Sequence, residues 1–185
     1  MSSHVETDED IAKKVQAGDL EAFGYLVERY EQKLLRYARK FLLLGEDGQD
    51  LVQDVFIKAY TNIHSFDPEL KFSPWIYRIA HNTFINALEK RKRQPLSLFE
   101  FEGLLNILPA RSDPEKDINR DMDKSMVEAG LKELDEKYRE PLVLFYLEEF
   151  DYSEIADILH MPVSTVGVRI KRGRDQLKKV LAKKQ

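Results

Sequence analysis

The chain has 185 residues, 43% hydrophobic and 34% charged, with a formal net charge of −4 and no cysteine. That composition describes a soluble globular protein of one medium domain or two small ones, and it excludes disulfides and thiolate metal sites, so a reducing cytoplasm is the expected setting. The acidic start MSSHVETDEDIAKK does not resemble a signal peptide, and no apolar run approaches the roughly 20 residues that cross a bilayer, so no membrane insertion is expected.

From Asp8 to about Arg93 the pattern is almost wholly helical. Asp8, Glu9 and Asp10 open a first helix with anions at its positive end. Gly18-Asp19 breaks it, and Asp19 is placed to cap a second helix whose stripe is Phe23, Leu26, Val27, Tyr30, Leu34, Tyr37, Ala38 and Phe41. A turn is expected over Gly45 to Gly48, then a helix to about Ile63 with Leu51, Val52, Val55, Phe56 and Ala59 inward. His64 to Phe72 reads as a loop, with Asp67-Pro68 starting a turn. Ser73-Pro74 is the expected start of the next helix, which turns Trp75, Ile76, Ile79, Ala80, Thr83 and Ala87 inward and ends in Lys90-Arg91-Lys92-Arg93. No alternating strand pattern appears.

Pro95 to about Arg120 differs in kind. It holds Pro95, Pro109 and Pro114 and two apolar clusters without sustained period, which reads as a linker that is not inert. Helices resume near Asp121, with Met126, Leu131 and Leu134 inward. Glu140-Pro141 is the expected start of a helix over Leu142 to Glu149. Tyr152 to Leu181 then reads as two helices joined by a tight turn: the first capped by Ser153 and ended by His160-Met161-Pro162, the second capped by Ser164 or Thr165. In the second, Val166, Ile170, Leu177 and Leu181 form the apolar stripe, and Ser164, Thr165, Val168, Lys171 and Arg172 point away from it. This is the layout of a DNA-reading helix-turn-helix. An ordinary helical hairpin has the same pattern, but Arg169 to Lys184 carries eight cations against one acid in a net acidic chain, a segregation suited to a phosphate backbone.

Catalysis finds little support. The four histidines, His4, His64, His81 and His160, show no metal-ligand spacing, and no glycine-rich phosphate loop is present. No catalytic residue, metal or cofactor is expected, and His81 and His160 read as solvent-edge or capping residues. A second zone with chemical content runs from Phe66 to Arg93, where Phe66, Phe72, Trp75 and Tyr77 lie beside Lys71, Arg78, Arg91 and Arg93. Aromatics interleaved with cations can stack unpaired bases, although aromatics at a helix start more often belong to a core. Arg78, His81, Asn82 and Glu89 fall opposite Ile76, Ala80 and Thr83, a polar face compatible with reading an extruded base.

Three blocks carry a family resemblance. Asp50 to Phe56 (DLVQDVF) is similar to the DLVQEVF block of bacterial sigma factors of the extracytoplasmic-function type, the short class holding only the second and fourth conserved regions. Phe66 with Lys71 to Asn82 (KFSPWIYRIAHN) resembles its KFSTWLYRIARN block. Tyr138 to Leu144 (YREPLVL) and Tyr152 to Leu177 resemble the fourth region. The chain departs from the family at Ser164, Gly167, Val168 and Gly173, which stand where glycine, a basic residue, serine and alanine are usual, and at Asn86, where an acid is usual.

The resemblance implies roles. Asp50, Gln53 and Asp54 would dock on a coiled coil of the largest subunit of core RNA polymerase, with the flap of the second subunit as a further contact. Phe66, Lys71, Phe72, Ser73, Trp75, Tyr77, Arg78 and Asn82 would melt the −10 element and capture a single-stranded base. Ser164, Thr165, Val168, Arg169, Lys171 and Arg172 would read the duplex −35 element. An anti-sigma factor is the further partner implied. The expectation is an all-α protein of two small helical domains, residues 8–94 and 121–184, joined by a flexible linker at 95–120. Its function would be promoter recognition and strand opening for core polymerase, for a stress or envelope regulon. The rivals are a conventional helix-turn-helix regulator binding operator DNA as a dimer and a scaffold that binds only protein.

Overall fold

Helical periodicity governs the whole of what the structure, a computed structural model, describes: residues 6–43, 48–93 and 127–183. The expected linker, the helix start near Asp121, Met126, Lys184 and the Gly45–Gly48 turn apart from Gly48 lie outside these residues. The elements are α1 (Asp8–Gln16), α2 (Ala22–Leu42), α3 (Gly48–Thr61), a 3-10 turn (Ile63–Ser65), α4 (Phe72–Arg93), a helical segment over 127–132, α5 (Glu136–Tyr146), α6 (Tyr152–Leu159) and α7 (Val163–Ala182). Among the described residues there is no strand. The all-helical expectation therefore holds.

The N-terminal unit forms because four amphipathic helices share one apolar interior. Thr7 caps α1, its hydroxyl accepting from Asp10 N–H at 3.2 Å, and Asp19 accepts from Ala22 N–H at 3.1 Å to start α2. Leu26, Tyr30, Leu34, Tyr37 and Phe41 of α2 are buried against Val52, Val55 and Phe56 of α3 and Phe72, Ile76, Tyr77 and Phe84 of α4. Tyr37 stands at the centre, its ring 5.3 Å from Tyr77 and 5.2 Å from Phe84. Glu9 Oε1 accepts from Phe72 N–H at 2.9 Å, so a carboxylate from α1 sits at the positive end of α4. That long-range cap starts the helix before Ser73-Pro74, the start expected from sequence.

The C-terminal unit packs α5 against α7, with α6 between α7 and α4. Its helix starts also differ from expectation. Asp135 caps α5, so the helix begins ahead of Glu140 and carries Pro141 inside it. Asp151, rather than Ser153, caps α6 in a capping box in which Glu154 reaches back to Asp151 N–H at 2.9 Å. α7 starts at Val163 after Pro162, so Ser164 and Thr165 lie in its first turn and cap nothing. The turn between α6 and α7 is closed by His160 in the left-handed region (φ 50°) and by Met161 N–H donating to Ala156 O at 3.1 Å.

The two units touch. Arg139 of α5 is buried, and its guanidinium donates to Leu131 O (2.9 Å) and Leu134 O (2.6 Å) in its own unit and to Phe41 O (2.8 Å) at the end of α2. Glu140 beside it is buried as well; its Oε1 accepts from the Tyr37 hydroxyl at 2.5 Å and lies 2.7 Å from His81 Nδ1. His81 is therefore an interface residue, contrary to its reading as a solvent-edge group.

Candidate nucleic-acid interface

α3 buries Val52, Val55, Phe56 and Ala59, and helical spacing then turns Asp50, Gln53 and Asp54 outward, where all three are exposed. Ile57, 63% exposed, extends the same outer side. The face combines two carboxylates, an amide and an aliphatic side chain.

On α7, Val166, Ile170 and Gly173 are buried. Ser164, Val168, Lys171 and Arg172 are exposed, and Thr165 and Arg169 are partly so. The outer face is thus polar and cationic, with Val168 as an apolar member, and Gly167 brings its backbone against the ring of Tyr152. Gly173 is a packing glycine: a Cβ there would lie 2.9 Å from Leu142 Cδ1 and 3.1 Å from Tyr138 O. The close approach of α7 to α5 explains why alanine is absent despite its better helix propensity.

The third surface departs most from its sequence picture. Phe66, Phe72 and Tyr77 are buried. Phe66, Phe72 and the partly buried Trp75 form a ring cluster with centroids 5.3–5.4 Å apart. In this conformation these rings are core, and Trp75 alone of the group shows an edge to solvent. Asn82 is exposed. Arg78 is half-buried, with a buried Nε that has no partner among the described residues. Lys71 reaches across to Glu154 at 2.7 Å, and Ser73 lines the same cleft between the units.

The cleft has a volume of about 540 Å³ and brings together Lys33, Arg36, Lys71, Tyr77, Glu148 and Glu154. Arg36 holds Glu148 through Nε (2.8 Å) and Nη2 (2.7 Å), and the Tyr77 hydroxyl donates to the same carboxylate at 2.6 Å. Burial, then the Glu148 charge, pushes the Tyr77 phenol far above its ordinary range; burial, then Glu140, does the same at Tyr37. Its hydrogen bond to Glu148 raises the Arg36 pKa, and burial lowers that of Arg139. Sequence reasoning missed Arg36, Arg139, Glu140 and Glu148. Arg36 sits on an ordinary polar helix face and Glu148 in the turn that follows α5; only the pairing of Arg139 with Glu140 ahead of an apolar run signals burial.

Two helical units, one bearing an outward cationic helix-turn-helix, define a DNA-binding protein of the helix-turn-helix class. Residues 26–94 match the family Sigma-70 region 2, and residues 124–177 match Sigma-70, region 4. The chain is 36% identical over 175 residues to the ECF RNA polymerase sigma factor SigW of Bacillus subtilis, covering 91% of this chain and 94% of that one. It is 34% identical over 185 residues to the RNA polymerase sigma-H factor of Pseudomonas aeruginosa, covering 95% and 94%. The solved structure of CnrH in complex with the cytosolic domain of CnrY aligns over 97% of this chain and 100% of that chain, at 28% identity and TM-score 0.72. The protein belongs to the ECF RNA polymerase sigma factors of the sigma-70 family. Matching both regions in order over most of the chain disfavours the dimeric operator-binding reading.

Proposed function

We propose that this sigma factor divides its work among three surfaces. Asp50, Gln53 and Asp54 dock on the coiled coil of the largest polymerase subunit. Ser164, Thr165, Val168, Arg169, Lys171 and Arg172 read the −35 duplex, the cations neutralising phosphates and the polar and apolar side chains meeting base edges. Lys71, Ser73, Trp75, Arg78 and Asn82 engage the −10 strand, with Phe66, Phe72 and Tyr77 forming the wall that supports them. Trapping an unstacked base offsets the few kcal/mol of unpairing. The two working domains are residues 8–94 and 121–184. The protein catalyses nothing itself, acts in the cytoplasm with core polymerase, and serves a stress or envelope regulon under an anti-sigma factor; among its structural neighbours, CnrH was solved with the cytosolic domain of CnrY and the sigma factor RpoE of Bartonella quintana with the anti-sigma factor NepR.

The observation that carries this reading is the outer face of α7, which keeps Ser164, Val168, Lys171 and Arg172 exposed while Val166, Ile170 and Gly173 are buried beneath. The test is a gel shift of genomic promoter fragments with core polymerase present or absent. The expected result is a shift that needs both proteins and is lost in Lys171→Glu with Arg172→Glu. A tight shift of a palindromic duplex by the chain alone contradicts the reading.

A further inference from the structure

The cleft between the units is built as an anion site that is already filled. The N-terminal unit supplies the donors: Arg36 offers its guanidinium fork, Tyr77 a hydroxyl, Lys71 an ammonium 71% exposed, and Lys33 lines the same wall. The C-terminal unit supplies the acceptors. The Glu148 side chain is 1% exposed and takes both Arg36 donors and the Tyr77 hydroxyl, while Glu154 takes Lys71. A guanidinium fork with an adjacent hydroxyl and ammonium fits a phosphodiester as well as a carboxylate, because both present planar pairs of anionic oxygens to the same donors. Lys71 also belongs to the group assigned above to the −10 strand, and Tyr77 to the wall behind that group, its hydroxyl reaching the cleft.

We propose that Lys33, Arg36, Lys71 and Tyr77 form a strand-phosphate site, and that in the free chain Glu148 and Glu154 occupy it in place of the phosphates. The inference rests on the assignment of α4 to the opened strand and adds Lys33 and Arg36 from α2. One surface then has two mutually exclusive occupants, the protein's own C-terminal unit and a single-stranded backbone. Closure leaves the outer faces of α3 and α7 exposed, so polymerase docking and duplex reading do not require opening, whereas strand capture does. By linkage, whatever separates the units raises strand affinity, and strand binding separates the units.

The test uses the full-length chain carrying Glu148→Ala with Glu154→Gln, the glutamine retaining the capping box at Asp151. A second variant, Glu31→Gln with Asp157→Asn, removes the same charge from exposed positions outside the cleft. The probe is a fluorescein-labelled, degenerate single-stranded 12-nucleotide DNA, because backbone contacts carry no sequence information. Separation of the units is read by energy transfer between dyes at Glu28→Cys and Lys178→Cys, sites made unique by the absence of native cysteine. The expected result is lower energy transfer and strand affinity raised about tenfold or more in the cleft variant, as release of a closed majority requires, with little change in the charge-matched variant. Equal affinity gains in both variants, or separation without a gain, overturns the proposal. Promoter opening by the wild-type holoenzyme reports separately on the strand assignment of α4: its failure with the affinity gain intact faults that assignment and leaves the competition for the cleft standing.

Discussion

Replacing Arg139 with methionine probes how the two units are joined. The guanidinium donates to three carbonyls, Leu131, Leu134 and Phe41. The negative ends of two helical segments, the one over 127–132 and α2, face its charge, together with the nearby Glu136 and Asp135 carboxylates. Methionine restores most of the apolar stem but no donor. Each buried carbonyl left without its donor costs about 1–3 kcal/mol, reduced where water or a helical N–H takes over. The sum should be about 3 kcal/mol, in the range expected for losing one member of a buried polar network. With a urea dependence of about 2 kcal/mol per molar, the unfolding midpoint should fall by about 1.5 M. Arg139→Lys, which keeps the charge but offers a compact ammonium, should lose about half as much. The assay is urea unfolding followed by far-ultraviolet circular dichroism and by fluorescence of Trp75, the single tryptophan. A midpoint shift below about 0.3 M in Arg139→Met would refute the assignment of Arg139 as the tie between the units.

Further outcomes follow from other contacts. Gly173→Ala should lower the melting temperature by about 2–4 °C, since the clash with Tyr138 O and Leu142 outweighs the roughly 1 kcal/mol gain in helix propensity; a rise in calorimetry contradicts that packing. His160→Gly should stabilise the chain by about 0.5–1 kcal/mol in urea unfolding, because glycine takes the left-handed turn position without the Cβ penalty. Stability should fall above about pH 10: unfolded phenols ionise there while Tyr30, Tyr37 and Tyr77, whose pKa values are raised in the fold, stay protonated, so the folded state binds more protons and is penalised as pH rises. Tyr77→Phe should flatten that alkaline decline, measured as urea midpoints between pH 8 and 11.

Much of the fold could be read from spacing. The stripe of α2 from Leu26 to Phe41 and that of α7 from Val166 to Ile170 are buried as their periods require, because each lies on one helix face and needs no knowledge of its partner. The helix starts were less legible. Ser73 and Ser153 carry plausible capping side chains, yet Glu9, far away in sequence, takes the end of α4, and Asp151 with Glu154 wins at α6. Local preference competes there with acceptors that arrive only when the chain folds. Gly173 looked like a weak helix former, and its reason lies in Tyr138 and Leu142 on another helix. The aromatic zone shows the opposite case: Phe66, Phe72 and Tyr77 sit in the stretch that resembles a strand-binding block, but their rings are packed inside, and the polar neighbours are what reach the surface. The contacts between the units were invisible because Arg36–Glu148 and His81–Glu140 join residues 112 and 59 apart in sequence.

Permanganate probing of a target promoter tests the account at its centre. Thymines around the −10 element should become reactive when the chain and core polymerase are both present, and stay protected with either one alone or with the variant carrying Asp50→Ala, Gln53→Ala and Asp54→Ala. Promoter opening that survives this triple substitution, or unpaired thymines produced by core polymerase without the chain, would contradict it.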